Sequence, residues 1–251
     1  MSKVKGFRKL YLGILKKMKF LPPHKCVKYY YEYYTSQKYN DKNPIRFNEK
    51  IHWYKTHYHP AILNQLVDKY AVREYVKEKI GEQYLNACLG IYEDINDIDF
   101  DALPDQFVIK GVHGYGFNLI VSDKSKLNVR KAKLKLYKWK RRNQYYRGGL
   151  EWAYKDVKPR FLVDKFMAEA ARGSLTDYKF YCFNGKPKFL EVHLDRREDH
   201  KSGFFDLDFK LLPFRDVDES MWIQSPITKP TNFDEMVHLA EVLADRFPFV
   251  R

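Results

Sequence analysis

A lysine closing an apolar run and followed by spaced glycines is a combination suited to holding an anion. Residues 107–121 read FVIKGVHGYGFNLIV. Phe107 to Ile109 and Asn118 to Val121 are short, aromatic and β-branched, so they predict two strands of a hairpin with a long connection. The connection His113-Gly114-Tyr115-Gly116 is richer in glycine than a tight turn needs, and glycine lets backbone N–H groups come close to an anion. Lys110, at the strand end, would add a point charge to the same anion. An ordinary solvated hairpin with a surface lysine fits these residues equally well.

Other residues carry chemistry less specifically. Asp206-Leu207-Asp208 has the alternate spacing that would put two carboxylates on one strand face. Cys26, Cys88 and Cys182 are far apart and show no CxxC spacing, which indicates neither a disulfide framework nor a zinc site and fits a reducing compartment, the cytoplasm. The 251 residues hold 46 Lys and Arg against 32 Asp and Glu, a formal charge of +14, and so imply an anionic partner. Nucleic acid is disfavoured: the aromatic residues are scattered instead of lining one basic groove, and no DNA-binding signature occurs. Residues 3–21 are too short and too charged to span a bilayer. Their helical periodicity, with Phe7, Leu10, Tyr11, Ile14, Leu15, Met18 and Leu21 on one face, suits a basic amphipathic helix, either at a membrane surface or packed on its own domain.

The elements that position these residues follow from periodicity. Residues 1–85 read as a helical N-terminal region, in which Ile62 to Ile80 predict one helix ending at Gly81. From residue 86 to 251 strands and helices mix. Strands are expected at Leu89–Tyr92, in the hairpin above and in RFLVDKFM. Asn184-Gly185 predicts a hairpin joining Lys179–Phe183 to Lys188–Leu194. GFFDLDFKLLPF predicts a further short antiparallel piece. Between the strands lies a basic helix, VRKAKLKLYKWKRRNQYYR, with Leu134, Leu136 and Trp139 as packing residues. FDEMVHLAEVLADRF predicts a last helix lying on a sheet. The fold class is α+β.

The order of the segments DKYAVREYV, LPDQFVIK with its glycine loop, EWAYK, LVDKFM, DYKFYCFNGKPKFLEV, DR, FFDLDFKLLPF and FPFVR resembles that of ATP-grasp proteins of the teichuronopeptide-biosynthesis type. These occur in bacterial surface-polysaccharide and capsule gene clusters. The resemblance runs from NPIRFNEKIHWYK to the last residue. It implies two α+β subdomains gripping ATP, and a carboxylate–amine ligase that forms an acyl phosphate. The substrates implied are a uronic-acid-bearing polysaccharide or an amino-acid polymer.

By the same resemblance, Lys110 matches the lysine that touches the phosphates and Lys69 an earlier nucleotide-site lysine. His113, Gly114, Gly116 and Asn118 form the loop that closes over them. The backbone from Lys165 to Met167 would read adenine, with Asp164 standing where relatives more usually have Glu. Asp177 and Lys179 would lie near ribose and phosphates. Arg196, beside Asp195, is the catalytic candidate, a clamp for the acyl phosphate or the substrate carboxylate.

Two departures stand out. Gly111, Val112 and Tyr115 replace the Cys, Asn and Ser of the relatives' loop. FPFVR is followed in relatives by an Asp and, on a return strand, a Glu that bind Mg2+. Because the sequence stops at Arg251, the magnesium site is expected to be incomplete and its ligands here unknown, the chain being a fragment or a short relative. Asp206 and Asp208 are weak substitutes. A noncatalytic nucleotide- or polysaccharide-binding protein of the same fold is therefore a second reading, and a sugar-nucleotide glycosyltransferase using Asp206 and Asp208 a third.

Overall fold

The computed structural model describes residues 10, 13–14, 21–167, 176–195, 199–214 and 219–251. The expected amphipathic segment 3–21 lies almost wholly outside the described residues, and Arg196 lies outside them too. The chain divides into two compact units, residues 1–74 with 87–165 and residues 75–86 with 166–251.

The first unit opens with helix α1 (Pro23–Thr35), which begins on a proline, where a missing N–H costs nothing, and ends at Ser36 in the left-handed conformation. Cys26, Val27 and Tyr30 of α1 pack against Tyr145 and Leu150. Helix α2 (Phe47–His57) is started by the buried carboxylate of Glu49, which accepts from the amides of Ile45 and Arg46. Helix α3 (Ile62–Val67) then stops where a continuous helix to Ile80 was expected. Asp68 causes the break. Its Oδ1 accepts from the amides of Tyr70 and Ala71, capping a new helix, α4 (Val72–Ile80), which runs across the boundary into the second unit.

The first unit's sheet is antiparallel, in the order β1-β4-β2-β3, with β1 Cys88–Tyr92, β2 Phe107–Gly111, β3 Asn118–Val121 and β4 Phe161–Lys165. Residues alternate between its faces. Phe107, Ile109, Val121, Phe161 and Val163 point one way and form the core with Ala132, Leu136 and Trp139 of the basic helix α5 (Val129–Lys140). Leu134 was expected to pack beside them and instead is 60% exposed, because it faces away from the 132-136-139 stripe. A short helix, α6 (Gln144–Arg147), follows.

The second unit has its own antiparallel sheet, in the order β7-β6-β5-β8: β5 Asp177–Phe183, β6 Lys186–Leu194, β7 Lys201–Phe205 and β8 Phe249–Val250. The β5–β6 turn is Asn184-Gly185 with both φ positive, 49° and 75°, as a two-residue hairpin requires. Leu190, Val192, Phe205, Phe209 and Phe233 form the core under helix α7 (Phe233–Ala244). Asp206, Leu207 and Asp208 turn the chain after β7 and do not lie on a strand. The amide of Asp206 donates to the Lys210 carbonyl, and the Asp206 carboxylate accepts from the Lys210 amide. With two antiparallel sheets and flanking helices, the fold is α+β.

Candidate functional site

In the first unit, the face of the sheet turned away from α5 carries Lys110 and Asp164. Lys110 lies opposite Leu162 and Asp164 opposite Val108, so the two are diagonal neighbours on one face. Lys110 Nζ donates to Asp164 Oδ2 at 2.7 Å. The Asp164 side chain is 4% exposed and that of Lys110 32%. Asp164 is thus a buried anchor and Lys110 the group that reaches outward. The second carboxylate oxygen, Oδ1, is buried with no hydrogen-bond partner.

The break at Asp68 brings a second lysine to this corner. Lys69 Nζ donates to the carbonyl of Gly111 at 3.0 Å and also to that of Gly114, tying the end of β2 to the middle of the glycine loop. Burial and the neighbouring charge of Lys110 hold the Lys69 pKa down, to about 8, against the opposing pull of Asp68. Asp68 Oδ2 is engaged at 2.8 Å by Arg160, whose guanidinium also lies 5.2 Å over the Tyr70 ring. The loop is pinned from below as well: Gly111 N–H donates to Phe117 O at 2.8 Å and Val112 N–H to Arg160 O at 3.0 Å. No described hydrogen bond takes the amide of Gly114, Tyr115 or Gly116 as donor.

The loop residues are held in different ways. His113 is fully buried. One ring nitrogen, Nε2, lies 2.9 Å from the Trp139 carbonyl on α5, while Nδ1 is buried without a partner. Its ring packs on Phe117 at 5.1 Å, and burial lowers its pKa, so the neutral ring donates through Nε2 and anchors the loop to the core. Gly114 is required for close approach, since a Cβ there would lie 2.8 Å from the Phe117 ring. Gly116 has φ of 73° and nothing within 4 Å of where a Cβ would be. Asn118, opposite Lys110, is exposed. Of the positions expected to read adenine, Lys165 already donates its amide to Ala87 O at 2.9 Å, and Met167 is 48% exposed.

In the second unit Asp177 and Lys179 share the sheet face opposite α7 with His193 and Glu191, their respective partners in register. Lys179 Nζ meets His193 Nε2. His193 Nδ1 lies 2.9 Å from His200 Nε2, and His193 Nε2 lies 3.1 Å from Glu191 Oε1. Glu191 is also approached by Tyr181 and Arg251. The sequence reading missed Asp68, Arg160 and this histidine pair. Asp68 was legible as an Asp placed to cap a helix, and Glu191 and His193 as alternate polar residues within an apolar strand.

Among the described residues, no three His, Cys, Asp or Glu side chains are grouped so as to hold a metal ion. Asp206 is committed to its own turn, and Asp208 to Lys210 at 3.5 Å. These residues do not fit a magnesium site. A nucleotide fits better: two adjacent lysines and a glycine loop with unpartnered amides converge within the first unit. No described helix is long and apolar enough to cross a membrane.

No curated protein and no solved structure matches the chain. A family model described as TupA-like ATPgrasp matches residues 49–251, a span that contains Lys69, Lys110, the glycine loop and both sheets. The chain therefore belongs to the TupA-like ATP-grasp family.

Proposed function

We propose that this protein is an ATP-dependent carboxylate–amine ligase acting in bacterial surface-polysaccharide or capsule biosynthesis. The observation that carries the reading is the glycine loop itself: Lys69 is tied to its Gly111 and Gly114 carbonyls, Lys110 ends the strand that leads into it, and no described hydrogen bond uses the amides of Gly114 and Gly116. Two cations held close to each other destabilise one another until an anion arrives, and a polyphosphate is the anion the family uses. Asp164 orients Lys110 toward the β- and γ-phosphates. Lys69 ties the loop by the carbonyls of Gly111 and Gly114. The net charge of +14 suits an acidic acceptor such as a uronic-acid polymer or an amino acid.

In the reaction a substrate carboxylate oxygen attacks the γ-phosphorus and ADP leaves. The amine nitrogen then attacks the acyl carbon, phosphate leaves and an amide bond forms. Positioning and charge stabilisation supply most of the acceleration in such transfers. Hydroxylamine tests the reading: with ATP and a uronic or amino acid, the protein should release ADP and form a hydroxamate. ATP binding without ADP release for any carboxylate would replace the ligase with a nucleotide-binding protein of the same fold.

A further inference from the structure

Helix α5 has a second side that the nucleotide site does not use. Its inner stripe, Ala132, Leu136 and Trp139, is buried against the sheet. Its outer side carries Arg130, Lys131, Lys135 and Lys138, with Arg141 just beyond its end, all exposed. Residues 129–142 contain eight cations and no acid. Lys140 donates to the Glu93 carbonyl and Lys135 lies over the Trp139 ring at 5.1 Å. Among the described residues no ion pair involves Arg130, Lys131, Lys138 or Arg141.

This charge arrangement works against the helix. Lys131 with Lys135 and Lys138 with Arg142 are like charges one turn apart, and each such pair destabilises a helix. Arg130 and Lys131 occupy the first turn, where the helix dipole favours anions, and no acid stands there. An anionic partner reverses both effects.

The shape of the face narrows the partner. At one residue per 100°, the exposed positions from 130 to 141 spread over an arc of about 160°, a broad front instead of a narrow track. Leu134, 60% exposed, stands near the middle of the cations, and Tyr137 borders them. Cations surrounding an apolar side chain on a broad front match the headgroup region of an anionic bilayer. We propose that the outer face of α5 docks on an anionic phospholipid surface, its cations on the headgroups and Leu134 entering the interface.

The full chain should sediment with phosphatidylcholine vesicles that contain phosphatidylglycerol and not with phosphatidylcholine alone. Arg130→Gln/Lys131→Gln/Lys138→Gln should weaken that binding roughly 100-fold, as expected when three cations leave a charged membrane surface. It should leave the melting temperature unchanged or higher. Leu134→Ser should weaken vesicle binding and leave binding to soluble polygalacturonate unaltered. Three outcomes would overturn the proposal: no binding of the unaltered chain to anionic vesicles, vesicle binding indifferent to the triple substitution, or loss of polygalacturonate binding alone. The last would mark α5 as a polysaccharide surface.

Discussion

The depressed pKa of Lys69 makes nucleotide affinity pH-dependent in a direction and size that can be stated in advance. In the free protein Lys69 titrates at about 8, where burial and the charge of Lys110 hold it below its usual 10.5. A phosphate beside Lys69 favours the charged form, so binding raises its pKa and takes up a proton. At pH 7 about nine-tenths of the lysine is already charged, and at pH 9 only about one-tenth is. ATP should therefore bind about tenfold more weakly at pH 9 than at pH 7, equivalent to about 1.4 kcal/mol. Titration calorimetry in buffers of different ionisation enthalpy should show uptake of about half a proton at pH 8 and about 0.9 at pH 9. The last ionisation of the ATP γ-phosphate falls near pH 7 and contributes equally to the Lys69→Arg variant, which serves as its control. Lys69→Arg keeps its charge throughout, so its affinity should lack the tenfold fall. Equal affinity of the unaltered protein at pH 7 and 9, or a tenfold fall that persists in Lys69→Arg, would refute the assignment of Lys69.

Further substitutions separate binding from structure. Lys110→Met leaves Asp164 buried and unpaired, and should cost about 2–4 kcal/mol in chemical denaturation while abolishing measurable ATP affinity. Adding Asp164→Asn should recover most of the stability and none of the affinity; recovery of both would make Lys110 a purely structural partner. His113→Leu should destabilise by about 1–3 kcal/mol, because the Trp139 carbonyl loses its donor, and change ATP affinity by less than about twofold. A large affinity loss there would return His113 to the ligand. Leu136→Ala, at the centre of the first core, should cost about 2–5 kcal/mol and leave pH-dependent ATP binding intact.

Local rules carried the elements whose determinants are local. Asn184-Gly185 set a two-residue turn that pairs Phe183 with Lys186, and a one-residue register shift between Tyr181 and Cys182, which had no such signature, then puts Asp177 opposite His193 and Lys179 opposite Glu191. The hairpin around the glycine loop and the helix over the second sheet were legible for the same reason. Periodicity failed at Asp68, where an apolar pattern continuing to Ile80 was outweighed by one carboxylate capping two amides. That break is what aims Lys69 at the loop. The burial of His113 was not legible, because nothing in a glycine-rich string says which of its side chains turns inward. Its direction is set by a carbonyl on α5, 26 positions away. Leu134 shows the converse: an apolar residue in a helix packs only if it lies on the buried stripe. The ion pair of Asp68 with Arg160 spans 92 positions and had no local signature.

The most direct test of the account is a crystal structure of the full chain with ATP. The account predicts phosphate oxygens within hydrogen-bonding distance of the Nζ atoms of Lys69 and Lys110 and of the amides of Gly114 and Gly116. Phosphates bound away from these groups, with the Lys110–Asp164 pair and the glycine loop unaltered and facing solvent, would contradict it.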